Sequence, residues 1–184
     1  MNTKRIREQY LQVLPKLQEV LSLVREKLVN LPQSHFEIET NLKPFKSVER
    51  KVGTDHLHKV ADMSDLVRGR VFFSNKHTME KVVRLLKNLL KEWSPKVDVK
   101  KDKGNGLQYF GITHIDLNIN GINFELQIMP LEYKPFKPFL HKIYEKLRES
   151  NNNLSTEQKD KLISTHNKLY KAIHNRAQSN RRLN

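Results

Sequence analysis

The 184-residue sequence contains no cysteine, which excludes disulfides and thiolate metal sites together and suits a reducing cytoplasm. It has no apolar run near the roughly 20 residues that a membrane span requires, so no membrane partner is expected. The opening MNTKRIREQY is charged and lacks the apolar stretch of a secretory signal. Only six glycines are present, and they form neither G-x-x-x-x-G-K-[ST] nor G-x-G-x-x-G, so a P-loop or Rossmann phosphate turn is excluded. Acidic residues are also in short supply: 20 Asp and Glu face 34 Lys and Arg, a formal charge of +14. Such a charge attracts polyanions through their phosphates, which points to nucleotides or RNA. A solvated basic surface would carry the same excess, because it is spread through every segment. Arg176, Arg181 and Arg182 form the arginine cluster that lacks acidic neighbours.

What is present is a globular composition, with 37% hydrophobic and 29% charged residues, of a length that gives one domain and one active site. Leu14, Leu17, Leu21, Val24 and Leu28 recur at alternating spacings of three and four, predicting an amphipathic helix over about 10–30 that serves the core or a partner helix. The N-terminal helical segment is bounded as 1–33, a catalytic core as 40–148, and a C-terminal helix with a basic tail as 151–184. The run 35–40, leading into the core, is extended, and Ser47 is placed to cap a helix running to about 60. Residues 66–73 form a buried strand, 78–93 a helix and 97–100 a short strand. Helices follow at 136–149 and 155–177, so the expected class is α+β, a mixed sheet of four or five strands surrounded by helices.

The clearest signal is period-two alternation over 113–119 and 122–128 around Asn120-Gly121, a dipeptide suited to a type I′ hairpin turn. Residue 119 then pairs with 122, and each further pair steps outward by one. Ile115, Leu117, Ile119, Ile122, Phe124, Leu126 and Ile128 take the core face. The other face sets Asn118 against Asn123, Asp116 against Glu125, and His114 against Gln127. Like charges directly opposite destabilise a sheet by up to about 1 kcal/mol, so a cation is expected there, unless both acids simply point into water. Asp65, at the mouth of the 66–73 strand beside Arg68 and Arg70, adds a second carboxylate that a hard cation would accept. Oxygen ligands beside a phosphate-rich substrate imply magnesium. Asp65 and the two arginines can serve one site only if the strand begins after Asp65.

Lys43, Lys46, Ser47, Arg50 and Lys51 crowd a helix N-terminus, where free N–H groups and the helix dipole favour a triphosphate. Lys100, Lys101 and Lys103, ahead of Gly104-Asn105-Gly106, would form a second clamp. Tyr109 and Phe110 offer a flat surface for a base, or alternatively core packing. His56 and His58 lack a third ligand at zinc spacing and read as surface. His141, three residues before Tyr144, lies on a helix face.

Taken in order, K-x-x-x-S-x-x-x-K (Lys43, Ser47, Lys51), D-L-x-x-x-R (Asp65 to Arg70), a lysine loop, Y-x-G-I (Tyr109 to Ile112), F-E-L-Q (Phe124 to Gln127) and H-x-x-Y (His141 to Tyr144) resemble the synthetase domain of the RelA/SpoT family of alarmone synthetases. The likeness spans about 40–148 and is greatest to the small single-domain and toxin-like members. It implies a nucleotidyltransferase-like sheet and transfer of the β,γ-pyrophosphate of ATP to the 3′-hydroxyl of GDP or GTP, giving (p)ppGpp. By that resemblance Lys43, Ser47 and Lys51 would hold ATP phosphates and Arg70 would support the ATP side, and Lys46 at the same basic helix entrance is expected to bind ATP with them. Asp65 and Glu125 would be catalytic and would hold magnesium. Lys101, Tyr109, His114 and Gln127 would face the acceptor, with Tyr109 stacking on its base.

The sequence departs from the family pattern at Asn41, where an arginine is common, and at Met129, where a basic residue or histidine is common. Both departures bear on acceptor identity. The family histidine falls at Thr113 by spacing, whereas strand parity favours His114. Too few residues precede Lys43 for the family's hydrolase domain, so no degradation of the product is expected. Two other readings stand beside the first: pyrophosphorylation of the tRNA 3′ end or of adenine nucleotides, as in toxin-like relatives, and a non-catalytic RNA-binding module. A homo-oligomer or an antitoxin partner is also compatible.

Overall fold

The N-terminal apolar stripe folds into α1 (Thr3–Leu28), which buries Ile6, Leu17, Val20, Leu21, Val24 and Leu28 against the chain's own core. The computed structural model describes residues 2–32, 35–54, 60–63, 65–74, 77–98, 107–108, 111–149 and 154–182. The helix begins earlier than the apolar spacing suggests, because Asn2 caps it by accepting from the Arg5 N–H at 3.0 Å and Pro15 sits inside it at an exposed position.

After α1 come β1 (Phe36–Leu42), α2 (Phe45–Thr54), β2 (Val67–Phe73), α3 (Met79–Leu89) and β3 (Lys96–Asp98). The hairpin strands β4 (Thr113–Ile119) and β5 (Ile122–Pro130) follow, and then α4 (Lys137–Glu149) and α5 (Thr156–Arg182). One expectation is corrected here. Ser47 is not a cap: its N–H and that of Val48 both donate to the Pro44 carbonyl, at 2.8 and 3.1 Å, so α2 starts two residues sooner and Ser47 lies in its first turn. The helix is described as far as Thr54, residues 55–59 lie outside the described residues, and a 3-10 turn at Val60–Asp62 stands near its expected end. At the other end of the chain, Ser155 and Gln158 cap each other's N–H groups at 3.1 and 3.2 Å and start α5.

The hairpin has the predicted register, from Ile119 opposite Ile122 out to Thr113 opposite Ile128. Its turn places Asn120 at φ 52° and Gly121 at φ 79°, the positive pair that a type I′ turn requires and that this dipeptide tolerates. The sheet has five strands in the order β1-β2-β5-β4-β3, antiparallel except for the parallel pair β2 and β5. One face, built on Val67, Val71, Phe73 and the apolar hairpin residues, packs with α1, α3 and Val48 and Val52 of α2 into the main core. On the opposite face Phe72 and Met129 join Tyr133, Leu140, Tyr170 and Ile173 in a second cluster with α4 and α5. That cluster covers only one end of the face, and the remaining rows are charged. No described helix is long and apolar enough to cross a membrane.

Candidate active site

Strand pairing builds the charged face row by row. Arg68 of β2 is level with Glu125 of β5, which is level with Asp116 of β4, which is level with Lys96 of β3. In the next row Glu39 of β1, Arg70, Gln127 and His114 lie side by side. The two opposed acids of the hairpin are therefore flanked by cations in register, Arg68 beyond Glu125 and Lys96 beyond Asp116. Part of the positive charge expected at this face comes from neighbouring strands that the hairpin pattern alone does not reveal.

Asp65 lies just before β2, so the strand begins after it as the site requires. Leu42 pairs with Val67, which brings Lys43 and Asp65 to the same end of the sheet, and Lys43 is pinned there by its N–H donating to the Leu66 carbonyl at 2.8 Å and by the Tyr10 hydroxyl on its own carbonyl at 3.1 Å. Lys43 Nζ is 2.8 Å from Asp65 Oδ2, Lys51 Nζ of α2 is 3.0 Å from Oδ1, and the Arg68 guanidinium also contacts Oδ2. Lys43 is 6% and Asp65 8% exposed, so these charges meet in a desolvated place. Burial by itself would push the Asp65 carboxyl up, but Arg68 and Lys43 outweigh it and hold the group well below the usual carboxylate range. Burial likewise pulls the Lys43 ammonium down to about 8, against the opposing hydrogen bond that it donates to Asp65.

Glu125 is half-buried and has a neighbour at each oxygen. Gln127 Nε2 donates to Oε1 at 2.9 Å, and His114 Nδ1 lies 3.1 Å from Oε2. The latter is an ion-pair distance if the imidazole is protonated, although Nδ1 points off the line of a hydrogen bond. Parity does place His114 on this face, where it is buried at 3% exposure, and Thr113 is buried on the other. Arg70 pairs with Glu39 at 3.3 Å, and its Nε, like that of Arg68, is buried without a hydrogen-bond partner. Arg50 of α2 bonds Glu145 of α4 at 3.0 Å, and His141 lies 3.4 Å from the same carboxylate, with its ring stacked on Tyr144.

The structure thus gathers Lys43, Lys51 and Asp65 at one point, and Glu125, Gln127, His114 and Arg70 on two adjacent rows of one face. Ser47 is half-buried and Lys46 exposed on α2. Lys101 and Tyr109 lie outside the described residues, as do His56 and His58. The sequence reading gave no role to Lys137, which bonds Gln127 at 2.9 Å, nor to Glu39 as the partner of Arg70. Among the described residues no group of three or more His, Asp or Glu side chains could hold a metal ion. A pair of carboxylates suits magnesium when substrate phosphates supply the remaining oxygens, and suits poorly a metal caged by protein alone.

The fold is shared with small alarmone synthetases. Small alarmone synthetase 1 from Bacillus subtilis, bound to its product pppGpp, superposes with a TM-score of 0.67 at 15% identity, covering 96% of this chain and 96% of that one. The type VI effector Tas1, in complex with its immunity protein, gives 0.63 at 15% identity, covering 95% and 99%. A GTP pyrophosphokinase family protein from Streptococcus pneumoniae gives 0.54 at 16%, covering 100% and 97%. No family model and no curated protein matches the sequence.

Proposed function

We propose that this chain is a pyrophosphokinase that moves the β,γ-pyrophosphate of ATP to the 3′-hydroxyl of GDP or GTP, giving (p)ppGpp. The observation that carries the reading is Asp65 ringed by Lys43, Lys51 and Arg68 at the end of β2, with Glu125 standing level with Arg68 on the parallel neighbour β5. The fold shared with a pppGpp-bound synthetase and the six sequence fragments in family order support it.

In this reaction the acceptor 3′-oxygen attacks the β-phosphorus, the bond from that phosphorus to the α,β-bridging oxygen breaks, and AMP leaves with the negative charge. The transferred group is held by electrostatics more than by covalent chemistry. Lys43, Lys51 and Arg68 exchange part of their contact with Asp65 for triphosphate oxygens, while Lys46, Ser47 and Arg70 line the ATP side. Glu125, oriented by Gln127 and His114, receives the proton of the 3′-hydroxyl. Asp65 and Glu125 would hold magnesium, which when bound polarises the phosphoryl oxygens and neutralises charge on the leaving group. Lys101 and Tyr109 are assigned to the acceptor by the family likeness.

The charge of +14, with Asn41 and Met129 at two family positions, favours a second reading in which the acceptor is a tRNA 3′ end or an adenine nucleotide. The Tas1 complex with an immunity protein supports a protein inhibitor as a partner in either case.

The test is purified protein with γ-labelled ATP and, separately, GDP, GTP, AMP and deacylated tRNA, with and without magnesium. Label is expected on a guanosine nucleotide, dependent on magnesium and reduced about a hundredfold or more in Glu125→Gln while the folded state persists by circular dichroism. Label on tRNA or AMP alone selects the second reading. Label remaining in ATP throughout, with RNA bound and not modified, returns the chain to a non-catalytic binding module.

A further inference from the structure

Lys137 opens α4, yet its side chain turns back over the sheet. Its Nζ donates to Gln127 Oε1 at 2.9 Å, lies 3.6 Å from Met129 Sδ and stands 5.7 Å from the centroid of the Phe72 ring. Phe72 and Met129 are buried and apolar, and the glutamine is neutral, so no carboxylate is among these contacts. Burial, and after it the Arg70 charge, pulls the ammonium down to about 6, against the more distant carboxylates of Glu39 and Glu125, which act in the opposite sense. Fixing a lysine side chain costs on the order of 1.5–2 kcal/mol of rotamer freedom, and doing so in such surroundings needs a structural reason.

The reason lies in Gln127. Its Nε2 donates to Glu125 Oε1 at 2.9 Å. An ionised carboxylate only accepts, so the amide must turn its nitrogen to Glu125 and leave its oxygen for a donor. Lys137 is that donor, and it locks the amide against a flip that would set oxygen against oxygen. His114 Nδ1, 3.1 Å from the other carboxylate oxygen, flanks Glu125 from the neighbouring strand. The plane of the Glu125 carboxylate is therefore determined from α4 as well as from its own hairpin.

We infer that Lys137 is a positioning residue, which by fixing the Gln127 amide fixes Glu125 in the orientation the transfer needs. The reaction it serves rests on the pyrophosphokinase reading, whereas the linkage itself does not.

Three variants test it: Lys137→Met, which keeps the apolar packing against Phe72 and Met129, Gln127→Leu, and the two combined. Lys137→Met is expected to lower kcat about ten- to hundredfold with both KM values nearly unchanged, as loss of a residue that orients a site group does. In the Gln127→Leu background the same substitution should cost almost nothing further, because the group it acts through is gone. A rise in KM for either substrate, or effects that multiply in the combined variant, would mean that Lys137 touches substrate itself, and would overturn the inference. A second readout needs no turnover: the Gln127 side-chain amide signal in NMR spectra, identified by its loss in Gln127→Leu, should exchange with water clearly faster in Lys137→Met. An unaltered amide signal overturns the positioning role. An altered signal in a protein that transfers nothing to any acceptor sinks the pyrophosphokinase reading and leaves the Lys137–Gln127 linkage standing.

Discussion

Three cations share the two oxygens of Asp65 in a place nearly closed to water, so removing its charge leaves Lys43, Lys51 and Arg68 facing one another. Asp65→Asn should therefore lower the unfolding free energy by about 3 kcal/mol, the scale for breaking a buried charge pair, measured by urea denaturation. The sign of the pH dependence follows from the depressed carboxyl. Unfolded, the group titrates near about 3.9, and folded it titrates lower, so its contribution is complete above that value and is lost as acid is added through it. The urea midpoint of the unaltered protein should fall steeply below about pH 4–5, and that of Asp65→Asn should fall less. Equal slopes would mean that other carboxylates carry the acid sensitivity. Not all of this site can be read from sequence. Glu125, Gln127 and His114 are legible because the Asn120-Gly121 turn fixes register and register fixes faces. Asp65 is legible from its place at the mouth of the strand and from the order of motifs, but only on the assumption that β2 starts after it, which nothing local marks. Lys137 is not legible at all: ten residues and a turn separate it from Gln127, and only the docking of α4 on Phe72 and Met129 brings them together.

The strand β2 carries the site on one side and the core on the other, and Gly69 lies between its two arginines on the core side. A Cβ built there would come within 2.7 Å of Leu126 Cδ1 and 2.8 Å of Phe124 Cζ. Those atoms are the ends of side chains, but both residues are fully buried in the core, so a shift there must displace packed neighbours. Gly69→Ala is expected to destabilise by about 1–3 kcal/mol through overpacking, seen as a lower urea midpoint. Because the strain falls between Arg68 and Arg70, activity measured well below the midpoint should drop as well. Full activity in a destabilised variant would show that the arginine rows tolerate a shift of the strand. The periodic elements, α1, α3 and the hairpin, are the ones sequence predicts best, since burial of one face dictates their pattern. The start of α2 is misjudged from sequence for a chemical reason. Ser47 is a good capping residue, but the carbonyl of Pro44 already accepts the N–H groups of Ser47 and Val48.

Across the whole molecule the charge of +14 admits two kinds of acceptor, and α5 separates them. This helix buries His166, Tyr170, Ile173 and Ala177 on one side and exposes Lys161, Lys168, Lys171 and Arg176 on the other, by the 3.6-residue period. If the acceptor is a free guanosine nucleotide, it would bind at the charged face of the sheet and would have no reach to that outer face. A tRNA would extend beyond the site and release counterions wherever lysines meet its phosphates, so its affinity would fall steeply with salt, by about tenfold or more between 50 and 200 mM. With GDP or GTP as acceptor, KM should change only a few-fold over that range, and reversing charge in Lys168→Glu with Lys171→Glu should leave turnover within about twofold, as exposed substitutions far from a site do. The same pair of substitutions would abolish use of tRNA if α5 is part of its track. A steep salt dependence that the α5 substitutions remove would thus transfer the assignment from the free nucleotide to RNA while leaving Asp65 and Glu125 in their roles.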